Sequence, residues 1–145
     1  KMKHKGAIME YSKERMDDLM RAYDEYISSC DYIRMSEVYK IIVNMPSRRF
    51  WVSDIRAALI ISAMMRGKTD LSTMCPLKKE MYEEIYNRVF KLQEECPELT
   101  ISELCAKVIA QPAPKFYLTP GSAKVMVCKA RKQWIQEKWK RLRLL

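Results

Sequence analysis

The stretch PSRRFWVS, Pro46 to Ser53, sets two arginines and two aromatic rings between segments that read as helices. Sixty-six residues later PAPKFYLT, Pro112 to Thr119, repeats the order: proline, a basic residue, Phe, a second aromatic, an aliphatic residue, a hydroxyl. Laid without a gap over 101–132, residues 35–66 keep the match on both sides of the joint. Ser36/Ser102, Glu37/Glu103, Pro46/Pro112, Phe50/Phe116 and Ala57/Ala123 are identical, and Val38/Leu104, Ile42/Val108, Arg49/Lys115 and Ser53/Thr119 keep their character. Farther upstream the same offset pairs Leu19 with Ile85 and Cys30 with Cys96. Agreement of size and charge in register over that length indicates one unit of about 65 residues, used twice.

Each copy reads as three helices. The first, over Ser12–Ser29 and again Lys78–Glu95, has apolar residues at helical spacing (Leu19, Tyr23, Ile27; Met81, Ile85, Val89). The second begins at MSEVYK and TISELC, where Ser36, and Thr100 or Ser102, are placed to accept from orphan backbone amides. It stops before Pro46 and Pro112, since proline lacks a donor and disfavours helix in the residue ahead of it. The third is capped by Ser53 or Thr119. In the joint, Phe50/Trp51 and Phe116/Tyr117 are expected to wedge between the second and third helices, with Arg48, Arg49 and Lys115 facing out. The expected fold is all-α, two tandem three-helix repeats in one compact pseudo-symmetric domain. Residues 1–9 form a basic N-terminal arm, 10–72 the first repeat, and 73–145 the second, with an extended basic last helix.

The third helices have diverged. Ala57, Ile60, Ile61 and Met64 match Ala123, Met126, Val127 and Ala130 on one shared apolar stripe. Elsewhere Ala58, Ala63 and Met65 of the first copy stand against Lys124, Lys129 and Arg131 of the second. The first copy's third helix, apolar all round, is therefore expected at the centre, and the second copy's at the surface. Lys124, Arg131 and Lys138 fall seven apart on one stripe. Past Gln133 the helix gains an apolar patch, Ile135, Trp139 and Leu142, which suits a second subunit or a protein partner, the commoner explanation being packing against the first helix of either repeat.

Only three glycines and six prolines interrupt the chain, so composition favours helix. The longest apolar run, AALIISAMM, is well short of the roughly 20 residues a bilayer crossing needs. The start, KMKHKGAIMEY, lacks the apolar core of a secretory signal. Five cysteines without a CxxC, and one histidine, give no metal-ligand spacing and read as free thiols of a reducing cytoplasm. There is no glycine-rich phosphate loop, HExxH or GxSxG, so neither catalysis nor a cofactor is expected. The net charge of +9 points instead to a polyanion. Its segregation strengthens the point: Lys78 to Glu103 is acid-rich, whereas Lys124 to Arg143 holds eight cations against Glu137. A lipid surface fits less well, because the basic face lacks a wide apolar face of its own.

Three short helices ending in a capped, basic third helix resemble the helix-turn-helix class of DNA-binding proteins, over roughly Leu19–Lys68 and Ile85–Trp134. The joint, Pro46 to Val52, is longer than the usual three- to four-residue turn. The proline-basic-aromatic joint is also similar in style to small proteins of bacterial prophages and mobile elements. The resemblance implies a regulator or DNA-organising protein of the bacterial cytoplasm whose last helix enters the major groove. Ser122 and Lys124 would meet bases or phosphates, and Thr119 a phosphate at the helix start. Lys129, Arg131, Lys132, Lys138, Lys115, Arg48 and Arg49 would hold phosphates. RNA is the alternative nucleic acid. The rival class is a helical interaction or assembly protein whose partner is another protein.

Overall fold

The computed structural model describes residues 3–68 and 71–144. The protein is all-helical: α1 (Lys3–Ser29), α2 (Met35–Ile42), α3 (Asp54–Met65), α4 (Pro76–Glu95), α5 (Ile101–Ile109) and α6 (Pro120–Arg143), with one 3-10 turn at Leu71–Thr73. Among the described residues there is no strand, only an isolated antiparallel bridge between Ser47 and Ala113. No helix among them is long and apolar enough to cross a membrane.

Helix limits follow local chemistry. Ser53 caps α3 by accepting from the Arg56 amide at 3.1 Å, and Thr119 caps α6 by accepting from Ser122 at the same distance. Thr100 caps α5, accepting from Glu103. Ser36 is not a cap: α2 starts from Arg34, whose side chain makes no capping bond, and Ser36 lies inside the helix. Residues 3–9 are helical, since α1 begins at Lys3 and Gly6 is too weak a breaker to stop an otherwise continuous helical stretch.

The offset of 66 recurs in the helix limits and in the buried positions. α1 and α4 end at Ser29 and Glu95, α2 and α5 start at Met35 and Ile101, and the third helices start at Asp54 and Pro120. Leu19, Tyr23, Val38, Ile42, Phe50, Ala57 and Ile61 are buried, and so are Ile85, Val89, Leu104, Val108, Phe116, Ala123 and Val127. One departure has a simple cause. α3 closes in a Schellman turn, with Gly67 at φ +67 donating to Met64 and Lys68 donating to Ala63. The corresponding residue in the second copy is Gln133, so α6 runs on for another ten residues.

The third helices are exchanged relative to the expected repeats. One compact unit joins residues 1–45 to 118–145, and the other is Pro46–Tyr117. Thus α6 packs on α1 and α2, while α3 packs on α4 and α5. A tight turn would fold the third helix back on the second; a seven-residue, proline-bounded, extended joint instead takes the chain out of one unit and into the other.

In the unit made of α1, α2 and α6 the three helices pack on one another, and the buried residues are Leu19, Ala22 and Tyr23 of α1, Val38, Tyr39 and Ile42 of α2, and Ala123 and Val127 of α6. Tyr23 and Tyr39 stack with centroids 6.4 Å apart. The unit Pro46–Tyr117 has a core of Phe50, Val52, Ala57, Ile61, Met81, Tyr82, Ile85, Val89, Leu104, Cys105, Val108, Ile109 and Ala113. α3 is less enclosed than its composition predicts. Its Ala57 and Ile61 are buried, but Ile55 and Leu59 are 66% and 63% exposed, because α4 and α5 cover one side only.

Pro46–Ser53 and Pro112–Tyr117 belong to the Pro46–Tyr117 unit, and Leu118 and Thr119 to the other. Ser47 and Ala113 exchange backbone hydrogen bonds of 3.0 Å each, and the Phe50 amide donates to the Ile109 carbonyl at the end of α5. The Phe50 ring is fully buried, stacked on Tyr117 at 6.1 Å and covered by the Arg88 guanidinium at 4.9 Å. Arg88 also donates to the Pro112 carbonyl at 2.9 Å and pairs with Glu84 at 2.7 Å, tying the second joint to α4. Phe50, with Tyr117 packed against it, thus belongs to the α3–α4–α5 core and not to a gap between α2 and α3.

Candidate nucleic-acid interface

α6 starts with Thr119 at the cap and Pro120 in the first turn, where a missing N–H costs nothing. Ala123 and Val127 enter the core, and Met126 and Ala130 are half-buried beside them. At 100° per residue this stripe occupies one side of the helix, which leaves Lys124, Lys129, Arg131, Lys132 and Lys138 exposed on the others. From Arg131 onward every described residue of α6 is exposed. The Lys138 ammonium sits 5.2 Å over the Trp134 ring. Between α1 and α6 a groove of about 1180 Å³ runs past Met16, Met20 and Ile27 on one wall and Ala130 and Trp134 on the other. Near the start of the exposed stretch, burial pushes the Tyr39 phenol up; the neighbouring Cys128 thiol adds to this and the Arg131 guanidinium opposes it.

The ten predicted residues are divided between the units. Thr119, Ser122, Lys124, Lys129, Arg131, Lys132 and Lys138 belong to the α1–α2–α6 unit, and Arg48, Arg49 and Lys115 to the other. Thr119 and Ser122 are engaged with each other: besides the capping bond their hydroxyls lie 2.9 Å apart.

Arg48 is exposed, but Arg49 and Lys115 do not face out as the sequence predicts. The Arg49 guanidinium turns back over the Trp51 ring at 5.1 Å and donates to the carbonyls of Phe50 and Val52, both at 3.2 Å. Lys115 pairs with Glu80 at 2.6 Å and lies 5.7 Å over Tyr117. The reason is local: the extended joints leave carbonyls without helical partners, and α4 offers carboxylates beside them. Tyr117 has φ +56, a left-handed backbone that costs a non-glycine residue roughly 1 kcal/mol and is held here by its stack on Phe50.

Three of the eight cations counted from the sequence, Lys140, Arg141 and Arg143, lie outside the ten predicted contact residues; they fill the last turn of α6, where they also complement the negative end of the helix. Compared with models of known protein families, with curated proteins and with solved structures, the chain matches none.

Proposed function

We propose that the protein is a non-enzymatic DNA-binding protein, a regulator or organiser of DNA, that holds its target through α6. One observation carries this reading: eight Lys and Arg residues from Lys124 to Arg143, against the single Glu137, on a helix whose C-terminal half is open to solvent. Crowded like charges repel, and a polyanion relieves that repulsion while shedding its own counterions. At 1.5 Å per residue α6 is about 36 Å long, close to one turn of duplex. Lysine dominates, so backbone phosphates are better matched than base edges, and specificity is modest.

The test is retention of a labelled duplex across a salt titration. Lys124→Glu with Arg131→Glu abolishes retention at low salt while the helical circular dichroism stays unchanged. Normal binding by the double variant would show that α6 is the wrong face. A second reading, a helical interaction protein, is favoured by the exposure of Ile135, Trp139 and Leu142.

A further inference from the structure

α6 carries a pattern that phosphate binding leaves unused. In alternating steps of three and four, Val125, Cys128, Lys132, Ile135, Trp139 and Leu142 fall on one line along the helix, the spacing of contact positions in a coiled coil. The line lies away from the Ala123/Val127 stripe that fills the core. Its four large apolar members are 45% to 67% exposed and extend over about 26 Å. Single exposed apolar residues are ordinary, but four in one register form a docking seam.

We propose that this seam receives one helix of another protein, apolar along its contact line and acidic on both flanks. The choice of partner rests on charge. The positions bordering the seam are Lys124, Arg131 and Lys138 on one side and Lys129, Gln136 and Arg143 on the other, with no acid among them. A second copy would set Lys and Arg against Lys and Arg whether the helices ran parallel or antiparallel, and each such pair repels. Glu or Asp on the flanks converts every one of these contacts into attraction. Lys132, the one charged member of the line, fixes register by requiring an acidic or amide residue opposite. The seam stands on its own geometry and does not rest on DNA binding.

The probe is a labelled synthetic helix of 24 residues, matching α6 in length, with Leu along the seam and Glu on the flanks. Its controls are a shuffled peptide of the same composition and a peptide with Lys in place of Glu. At about 150 mM salt, where long-range attraction is screened, the full chain binds the patterned acidic peptide one to one. It binds the shuffled peptide about tenfold or more weakly and the Lys peptide not at all. Ile135→Ser with Trp139→Ser lowers affinity for the patterned peptide about tenfold while leaving duplex affinity and helicity in place. Lys124→Glu with Arg131→Glu reverses the preference towards the Lys-flanked peptide. Equal binding of patterned and shuffled peptides, indifference to the Ile135/Trp139 change, or a chain that dimerises through these residues overturns the proposal.

Discussion

Ser47 and Ala113, sixty-six residues apart and at matching positions of the two joints, exchange both backbone hydrogen bonds at 3.0 Å and are both buried. The bridge closes the Pro46–Tyr117 unit at its two ends. The Ser47 hydroxyl adds a bond of 2.8 Å to the Arg49 carbonyl. Ala113→Pro removes a buried donor and leaves the Ser47 carbonyl without its partner, so it lowers stability by about 1–3 kcal/mol, readable from urea unfolding.

The exchange of third helices predicts which fragments fold. Residues 46–117 contain a whole core, including Phe50, Ile61, Ile85 and Val108. Expressed alone, they give cooperative thermal unfolding. Residues 1–72 bring α1 and α2 without α6, and α3 without α4 and α5, and give no cooperative transition. The opposite result would return α3 to α1 and α2.

Phe50 is the fully buried hinge-pin of that unit, touched by Tyr117 and Arg88. Phe50→Ala costs about 3–5 kcal/mol, as ring deletion in a packed core does. Its counterpart for comparison is the half-buried Trp51, whose change to Ala costs less than half as much in the same denaturant titration.

Cations that look alike in sequence separate by experiment. Arg49→Ala strips charged donors from two carbonyls and costs about 1–3 kcal/mol of stability. Lys132→Ala leaves the midpoint of unfolding alone. If α6 grips phosphates, it lowers the slope of log affinity against log salt by about 1.

Alkaline pH weakens the Pro46–Tyr117 unit from within. Burial pushes the Cys105 thiol from 9.0 to about 11. Burial, then the charges of Glu84 and Glu80, push the Tyr117 phenol from 10.0 to about 12. Both groups are held neutral in the folded chain, so the unfolded chain releases their protons first. Stability is therefore full below pH 9 and falls from pH 9 to 11 through Cys105 and from 10 to 12 through Tyr117. In Cys105→Ala the first part of this loss disappears from a pH series of melting curves.

The helices were legible in the sequence because their signals are local: Ser53, Thr100 and Thr119 at caps, Pro46 and Pro112 at stops, and apolar spacing through Leu19–Tyr23 and Ile85–Val89. Which third helix completes which unit was not. Ala57/Ile61 and Ala123/Val127 are small apolar stripes of nearly the same shape, and either suits either pair of partners; backbone direction through the joints decides between them. The same limit explains Arg49 and Lys115. A cation beside an aromatic reads as surface until the carbonyls and carboxylates brought up by folding give it partners. Exposure of Lys124 and Arg131, by contrast, followed directly from periodicity.

A unit assembled from segments on either side of the other has a consequence during synthesis. As the ribosome proceeds, Pro46–Tyr117 is complete and can settle while α6 is still being made, whereas α1 and α2, translated earlier, hold Leu19, Val38 and Ile42 without a lid. A premature stop just after Tyr117 would therefore leave one unit native and the other a sticky, chaperone-dependent remnant, although two of its three helices were made before the native one.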